Sequence, residues 1–291
     1  MKIILAEHFG MCFGVRDAIS EAERLAANGP LTILGELVHN PVVRERLRAR
    51  GVREGALDKP GDANTRQVMI TAHGASEAMR ERWNAAGFAV ADGTCPLVRK
   101  AHAQLHALVR VGYFPVVVGQ AGHVEVQGLI GDFPRALVLG SAADFIHLPA
   151  EEKRFGVISQ TTQPLVKVEA ILVALRLARP DAEVRFCDTI CQPTKNRQAA
   201  LAQLLACCQT IVVVGGRGSN NTRQLVDAAI AAGVRAIHLE RPDELRPEWF
   251  APGQTVGLTA GTSTLKETVV AVHVRLLEFA LSMRGGASCS G

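Results

Sequence analysis

Residues 116–125 read VVVGQAGHVE, and this stretch contains the pattern on which the whole chain is built. It opens with three valines, which favour an extended and buried β-strand. The valines run directly into a polar turn that contains Gly119 and Gly122, and an acid follows at Glu125. A short apolar strand that ends in a glycine-containing polar turn is typical of a strand-to-helix connection in an α/β protein.

The same alternation of short apolar strands and amphipathic helices recurs along the chain. The predicted strands are Ile3–Leu5, Leu31–Leu34, Val68–Ala72, Phe88–Ala91, Val116–Val118, Ala136–Leu139, Gly156–Ile158, Glu183–Phe186, Ile211–Val214, Ala236–Leu239 and Val256–Thr259. The predicted helices include Phe13–Asn28, Leu97–Val111, Leu165–Ala178, Lys195–Cys207, Thr222–Ala232 and Leu265–Met283. The order of these elements predicts an α/β fold with mainly parallel sheets.

Four further strands end in a polar turn of the same kind. These turns are HG at 73–74, SQTTQ at 159–163, GGRGSNNT at 215–222 and AGTST at 260–264. Ligands of open α/β sheets bind at the carboxyl ends of strands, where the N-termini of helices direct backbone amides outward. Five such turns therefore indicate several lobes that face one shared pocket. The alternative is that their Gly, Ser and Thr residues only form loops and helix caps.

Composition excludes several classes of protein. The chain has 291 residues, of which 48% are apolar, enough for sizeable cores in one to three domains. It contains no apolar run of 18 residues and no secretory signal, so we expect a cytoplasmic protein without a membrane segment. The net charge of +4 is modest and aromatic residues are only 4%, which argues against nucleic-acid binding.

Seven cysteines are present, and three of them occupy equivalent places in the pattern. Cys12, Cys95 and Cys191 each lie at a strand-to-helix turn, spaced by roughly one small α/β lobe. An odd number without any CxxC pair argues against a disulfide framework, a zinc ribbon or a thioredoxin motif. Three thiolates at helix N-termini are typical ligands of an iron–sulfur cluster with one open iron, or of zinc with a free position.

Alternatives to the three-cysteine site remain open at this point. Each cysteine could be an inert buried residue, which is the commoner case for a single cysteine. Cys187 lies four residues before Cys191 and could be the ligand instead, although its place in a predicted strand favours burial. Cys207 and Cys208 fall within a predicted helix and are interpreted as structural. The cysteine spacing predicts three lobes, at residues 1–95, 96–190 and 191–284, followed by a disordered tail at 285–291.

Nine ordered segments of the chain resemble one known family. They are GMCFGV, ELVHNP, TAHG, DGTCPLV, GQAGHVEVQG, SQTT, DTICQPTKNRQ, GSNNT and TAGTS, and together they span nearly the whole sequence. The chain resembles the 4-hydroxy-3-methylbut-2-enyl diphosphate reductases (LytB/IspH), the last enzymes of the methylerythritol phosphate route to isoprenoids. The resemblance implies a trefoil of three α/β lobes around a central [4Fe–4S] cluster, held by the residues matching Cys12, Cys95 and Cys191. Air oxidation is expected to convert such a cluster to [3Fe–4S].

The resemblance also implies the roles of individual side chains. Glu125 matches the family's proton donor, with Thr161 and His123 assisting it. The residues that match contacts to the substrate are His39, His73, His123, Thr161, Thr194, Ser219, Asn220, Asn221 and Ser263. The implied activity is reductive dehydroxylation of (E)-4-hydroxy-3-methylbut-2-enyl diphosphate to isopentenyl and dimethylallyl diphosphate. The implied electron donor is a flavodoxin or a ferredoxin. The alternative for Glu125 is that it has no catalytic role and is a solvated carboxylate in the first turn of a helix, where the helix dipole favours negative charge.

Two departures from the family keep other functions open. Asn220 stands where many members have a second serine, and residues 265–267, LKE, replace a common proline and acid. A paralogue that reduces a related allylic diphosphate, or a non-catalytic sensor that binds an anion or an iron–sulfur cluster, would fit the same scaffold.

A nicotinamide-dependent oxidoreductase would use Gly216, Gly218 and Glu240, but Asn221 occupies the place of the third glycine. A P-loop NTPase is excluded, because no GxxxxGK[ST] segment occurs.

Overall fold

The computed structural model describes residues 1–285 and divides into two compact units. The first unit comprises 1–12, 39–43 and 192–291, and the second comprises 13–38 and 44–191. Residues 286–291, which include Cys289 and nearly all of the predicted tail, lie outside the described residues. The three lobe boundaries drawn from the cysteine spacing stay a prediction.

One four-stranded parallel sheet forms the core of the first unit. Its order is β1-β12-β10-β11, with strands β1 (Lys2–Leu5), β10 (Thr210–Val214), β11 (Arg235–Leu239) and β12 (Thr255–Ala260). Every residue of β10 is buried, as expected for a central strand of a parallel sheet that is covered on both faces. Val214 pairs with Ala260, so the turns after β10 and β12 leave the same edge of the sheet side by side.

The second unit contains two further parallel sheets of four strands each. The first has the order β3-β2-β4-β5, with β2 (Leu31–Leu34), β3 (Arg53–Gly55), β4 (Gln67–Ile70) and β5 (Ala89–Asp92). The second has the order β7-β6-β8-β9, with β6 (Phe114–Val118), β7 (Leu137–Leu139), β8 (Arg154–Ser159) and β9 (Glu183–Phe186). Val118 pairs with Ser159, which places the turn after β6 beside the turn after β8.

Nine α-helices connect the strands within residues 1–285. They are α1 (Phe13–Ala27), α2 (Pro41–Ala49), α3 (Glu77–Ala85), α4 (Pro96–Arg110), α5 (Val124–Ile130), α6 (Leu165–Ala178), α7 (Gln192–Leu205), α8 (Asn220–Ala231) and α9 (Lys266–Gly285). Their buried faces are spaced at helical intervals, as Val98, Ala101, Leu105 and Leu108 are on α4. No helix among these described residues has the length and hydrophobicity that a membrane span requires.

The structure confirms the predicted fold class, since three parallel α/β sheets are present. Strand β3 and the short helices α2 and α3 were not predicted from the sequence. Both helices are rich in charged residues and bury few side chains; Trp83 is the buried residue of α3. Their apolar periodicity is therefore too weak to stand out.

The predicted helix Lys195–Cys207 ends two residues early, at Leu205. The backbone N–H groups of Cys207 and Cys208 both donate to the carbonyl of Leu204, which closes the helix in a tight turn. The interpretation of these two cysteines as helical was therefore wrong. Cys208 is nonetheless buried in a hydrophobic cluster, whereas Cys207 is exposed.

Candidate active site

In the second unit, Cys95 occupies the N-cap position of α4. Pro96 follows as the first helical residue, where its missing N–H is no loss and its ring favours helical geometry. The backbone N–H of Cys95 donates to the carbonyl of Ala72 at 3.0 Å, which ties the cysteine to the turn after β4. The local sequence thus places a partly buried thiol at the start of a helix, where the backbone amides favour negative charge.

Gly14, in the first turn of α1, makes room for the thiol of Cys95 because it has no side chain. A Cβ atom at Gly14 would lie 2.4 Å from the Sγ of Cys95 and 3.1 Å from its Cβ. Any side chain larger than hydrogen would therefore displace the thiol. The second glycine of the GMCFGV segment therefore lets the thiol of Cys95 pack directly against the first turn of α1.

A single residue, Thr161, connects the predicted acid to a second cysteine. The backbone N–H of Thr161 donates to Oε1 of Glu125 at 2.6 Å, and its hydroxyl also hydrogen-bonds this carboxyl. The carbonyl of Thr161 accepts the N–H of Cys191 at 2.9 Å. The turns after β6, β8 and β9 are thereby held together, and they bring Glu125 and Thr161 into one polar group next to Cys191.

Glu125 is buried, with only 2% of its surface exposed, so the interpretation as a solvated carboxylate was wrong. Burial raises the pKa of Glu125 to about 7, and the hydrogen bonds from Thr161 oppose this effect only in part. A carboxyl group with a pKa near 7 can hold a proton at neutral pH and release it to a neighbouring oxygen. This is the property that a general acid needs.

Two histidines lie beside this acid. His123 caps α5, and its Nδ1 accepts the backbone N–H of Glu125 at 3.1 Å. The neutral ring therefore carries its proton on Nε2. The ring of His73 contacts that of His123 edge to face with centroids 5.4 Å apart, and its Nδ1 lies 3.4 Å from the hydroxyl of Thr71. The structure thus groups His73, His123, Glu125 and Thr161.

Cys187 follows β9 and packs against a hydrophobic cluster that includes Leu105, Val117 and Ile158. Its backbone N–H donates to the carbonyl of Val157 at 2.9 Å, so it extends the strand ladder. These surroundings are those of a structural cysteine, and they favour Cys191 as the ligand.

In the first unit, Cys12 lies in a loop fixed from two sides. Its backbone N–H donates to the carbonyl of Thr262 at 3.0 Å, and the guanidinium of Arg197 donates to the carbonyl of Gly10. Gly10 has φ +74°, a left-handed conformation that favours glycine. Cys12 lines a cavity of ≈ 270 Å³ together with His8 and five other residues.

The turns after β10 and β12 carry four of the nine predicted substrate contacts. Ser219 caps α8, and its hydroxyl accepts the N–H of Thr222 at 3.3 Å. The side-chain oxygen of Asn221 accepts the N–H of Thr262 at 3.1 Å, which joins the two turns. Ser219, Asn220 and Asn221 are all at least nine-tenths buried at the start of α8, where backbone N–H groups favour an anion.

The hydroxyl of Ser263 is buried and has no hydrogen-bond partner among the described residues. Such orphaned groups are rare and costly unless a ligand or water completes them. The carbonyl of Ser263 accepts a 2.7 Å hydrogen bond from the side chain of Asn40, whose oxygen also accepts the N–H groups of Val42 and Val43 at the start of α2. Asn40 therefore fixes the segment that carries His39.

His39 packs closely against the turn after β10. A Cβ atom at Gly216 would lie 1.8 Å from the carbonyl oxygen of His39, and one at Gly218 would lie 3.4 Å from its Nδ1. In the first unit, the structure thus groups His39, Ser219 and Ser263. Thr194 is also fully buried, in the first turn of α7.

Gly14 and Asn40 were missed as site residues. Asn40 precedes Pro41 and could have been recognised as a helix N-cap, but its long-range bond to Ser263 has no sequence signal. Glu240, the acid considered for a nicotinamide ribose, follows β11 and accepts the N–H of Arg217, in the turn after β10, at 2.6 Å.

Comparison with known proteins gives a consistent result. Residues 3–277 match the LytB protein family. A 4-hydroxy-3-methylbut-2-enyl diphosphate reductase from Anaeromyxobacter sp. (strain Fw109-5) is 38% identical over 91% of this chain and 93% of that protein. A protein of the same name from Aquifex aeolicus is 34% identical over 96% of both.

Solved structures agree with the sequence relatives. The E-1-hydroxy-2-methyl-but-2-enyl-4-diphosphate reductase from Plasmodium falciparum superimposes with a TM-score of 0.88 at 27% identity, covering 96% of this chain and 89% of that one. A solved (E)-4-hydroxy-3-methyl-but-2-enyl diphosphate reductase has a TM-score of 0.69 at 32% identity, covering 95% of this chain and 99% of that one. The resemblance expected from the nine segments is confirmed: the chain belongs to the LytB protein family.

Proposed function

We propose that the chain reductively removes the hydroxyl group of (E)-4-hydroxy-3-methylbut-2-enyl diphosphate, giving isopentenyl and dimethylallyl diphosphate in the methylerythritol phosphate pathway. The curated relatives and solved neighbours named above carry reductase names for this substrate or its diphosphate skeleton. The observation in the structure that supports the proposal most directly is the buried, protonatable Glu125, bonded through Thr161 to the backbone of Cys191.

The reaction consumes two electrons and two protons. One proton leaves with the hydroxyl oxygen as water, and the other adds to the allylic carbon skeleton. Glu125 supplies the first proton, since its pKa of about 7 keeps it partly protonated at neutral pH. The hydrogen bonds from Thr161 hold the carboxyl in one orientation, and His123 directs its Nε2–H away from the backbone that it caps.

The proposed cofactor is one [4Fe–4S] cluster, held by Cys12, Cys95 and Cys191. Its fit is supported by three partly buried cysteines outside any disulfide and by the position of Cys95 at the N-cap of α4, where backbone amides favour a thiolate. When bound, such a cluster with one open iron supplies a Lewis-acid position for the hydroxyl and a path for single electrons. A flavodoxin or ferredoxin is the proposed electron donor.

The diphosphate is proposed to bind mainly through neutral donors. The residues assigned to this role are His39, His73, His123, Ser219, Asn220, Asn221 and Ser263. Thr194, three residues after Cys191, is proposed as a further substrate contact. The buried hydroxyl of Ser263 and the backbone amides at the start of α8 supply donors for phosphate oxygens. Because such donors are shielded from water and held in place, each hydrogen bond that they donate to an anion is stronger than it would be in solvent.

The experiment that tests the function is anaerobic. The protein is purified or reconstituted, iron and sulfide are quantified, and oxidation of a reduced dye is followed after addition of the substrate. We expect about four irons per chain, with turnover that requires substrate. Cys191→Ser should lose iron and activity, whereas the matched variant Cys187→Ser should keep both.

Other outcomes would redirect or overturn the proposal. A full cluster without turnover would indicate a related allylic diphosphate as substrate, with Asn220 as the residue to restore to serine. Zinc in place of iron, or equal iron loss in Cys187→Ser and Cys191→Ser, would contradict the assigned ligands. Glu125→Gln that turned over at the wild-type rate would contradict the assigned acid.

A further inference from the structure

Two histidines on α4 face an aspartate outside the predicted active site. His102 and His106 are four residues apart, so they lie one above the other on the same face of the helix. Asp132 follows α5, and its Oδ2 lies 3.1 Å from Nε2 of His102. One potential ligand atom from each of the three side chains lies within 4.8 Å of the others.

The two ring nitrogens lack the partners that buried polar atoms normally have. Nε2 of His102 and Nε2 of His106 are shielded from solvent, and neither makes a well-oriented hydrogen bond to any residue between 1 and 285. The close approach of Asp132 to His102 is therefore not an aligned hydrogen bond. The rings are held in place by edge contacts with each other and with Phe133, with centroids 4.6 to 6.2 Å apart. Two preoriented, unsatisfied nitrogens on one side of a carboxylate indicate a missing cation or water.

The carboxylate of Asp132 is also held in a fixed orientation. Its two oxygens accept the N–H groups of Glu77 at 2.8 Å and Ala78 at 3.0 Å, at the first residues of α3. A carboxylate oxygen that accepts one hydrogen bond keeps a second lone pair for a metal ion. Such outer hydrogen bonds are what fix a ligating carboxylate in known metal sites.

The protonation state of His102 suits a ligand. Burial, followed by the proximity of His106, lowers the pKa of His102, while Asp132 and Glu77 oppose the shift and Arg80 adds to it. The neutral ring is therefore favoured at pH 7, with a nitrogen lone pair available. Arg80 lies 3.4 Å from Asp92 and is partly neutralised by it, so the local positive charge near the histidines is reduced.

An ion can reach the two histidines from solvent. A cavity of ≈ 550 Å³ is bordered by His102 and His106, and Glu77 contributes a carboxylate to its wall. Arg99 also borders this cavity, and its guanidinium lies 3.2 Å from Asp92. The two histidines and Glu77 therefore border an accessible cavity, which also has Arg80, Arg99 and Arg110 in its wall, and such a cavity meets the requirement for an entry path.

We propose that His102, His106 and Asp132 bind one Zn²⁺ ion, with water as the fourth ligand, at a site separate from the three cysteines. Two imidazoles and one carboxylate are a ligand set that zinc prefers. Tetrahedral zinc with bonds of about 2.0 Å needs ligand atoms about 3.3 Å apart, close to the 3.1 Å between His102 and Asp132. The ion ties α4, the helix that begins at Cys95, to the start of α3. The proposal does not depend on the proposed reductase activity.

The test uses the anaerobic, cluster-loaded protein and Co²⁺ as a coloured substitute for Zn²⁺. In the difference spectrum against the cobalt-free protein, we expect one Co²⁺ per chain with visible d–d bands but without an added near-ultraviolet band of thiolate-to-cobalt charge transfer, and we expect Zn²⁺ to displace it. The double variant His102→Gln/His106→Gln should lose this cobalt, while the control His147→Gln, at an exposed histidine, should keep it. Circular dichroism reports whether each variant still folds, and iron content reports whether the cluster site is affected.

A second variant separates ligand loss from unfolding. Asp132→Asn keeps an oxygen that can accept the N–H of Glu77 or Ala78, but it removes the negative charge. We expect it to weaken Co²⁺ binding about 10- to 100-fold with iron content unchanged. Absence of cobalt binding, a spectrum dominated by thiolate charge transfer, or equal binding by the wild type and the double histidine variant would overturn the proposal.

Discussion

The Ser263 hydroxyl is a single group whose role can be separated from stability. It is buried without a hydrogen-bond partner among residues 1–285. Removing such a group costs nothing in the free protein, whereas losing a hydrogen bond to a charged phosphate costs about 1.5–3 kcal/mol. Ser263→Ala is therefore expected to leave the free energy of unfolding unchanged or slightly higher and to raise KM for the diphosphate about 10- to 100-fold.

Urea unfolding and steady-state kinetics check this expectation. Ser282→Ala is the matched control, because Ser282 is exposed on α9 and its hydroxyl donates to the carbonyl of Glu278. A Ser263 variant that unfolds more easily but keeps the wild-type KM would show that the hydroxyl is structural.

The role of Gly14 in the structure is to leave space for the thiol of Cys95. Because an added Cβ would lie 2.4 Å from Sγ of Cys95, Gly14→Ala must turn the thiol away. Alanine is also a better helix former than glycine by about 1 kcal/mol, so the helix α1 itself is not weakened. We expect a folded protein with clearly less iron per chain after reconstitution.

Gly61→Ala is the control for this substitution, since a Cβ at Gly61 would meet no atom within 4 Å. Iron and sulfide analysis of both variants, with circular dichroism to confirm folding, gives the comparison. Equal iron content in the two variants would remove Gly14 from the site.

At the scale of elements, the start of α2 depends on Asn40. Its side chain accepts two backbone N–H groups of α2 and donates to the carbonyl of Ser263. Loss of an N-cap costs about 1 kcal/mol, and an orphaned buried carbonyl costs about 1–3 kcal/mol. Asn40→Ala should therefore lower the free energy of unfolding by about 2–4 kcal/mol and raise KM, since it frees His39 and Ser263.

Asn28→Ala provides the comparison, because Asn28 makes one exposed hydrogen bond to the carbonyl of Arg24 at the end of α1. Denaturant unfolding of both variants measures the stability effect, and the KM and kcat values measure the effect on the site. If Asn40→Ala changed kcat alone, Asn40 would belong to the chemical step instead of the binding segment.

At the scale of the whole molecule, the burial of Glu125 links stability to pH. Its pKa is about 7 in the folded protein and 4.5 in a solvated carboxyl. The protonated form is therefore favoured by folding, and its contribution is fully present below pH 4.5. This stability is lost as pH rises from 4.5 to 7, by about 3 kcal/mol in all.

Glu125→Gln should remove this dependence, because the amide has no charge to bury. The difference in urea midpoint between the variant and the wild type cancels the contribution of other titrating groups. We expect the variant to gain stability relative to the wild type between pH 4.5 and 7 and to keep a constant advantage above pH 7. A difference that does not change with pH would mean that Glu125 ionises as freely in the folded protein as in solution.

The sequence by itself determined the fold class, the family and the candidate ligands. Strand and helix periodicity are local properties, so the alternation around VVVGQAGHVE predicts parallel α/β sheets without any tertiary information. The cysteines and polar turns lie at strand ends, and the rule that strand ends carry ligands makes them candidates. Helices α2 and α3 were not predicted, because most of their residues are charged or polar and too few apolar residues recur at helical spacing.

Only the tertiary structure decided which environment each candidate side chain occupies. Three features depend on residues that are distant in sequence: the raised pKa of Glu125, the packing of the Cys95 thiol against Gly14, and the hydrogen bond from Asn40 to Ser263. The same is true of Asp132, which approaches His102 from another element. Strand register and packing set these distances, and burial sets the local dielectric. Neither property is encoded by spacing along the chain, because both arise when separate segments exclude water together.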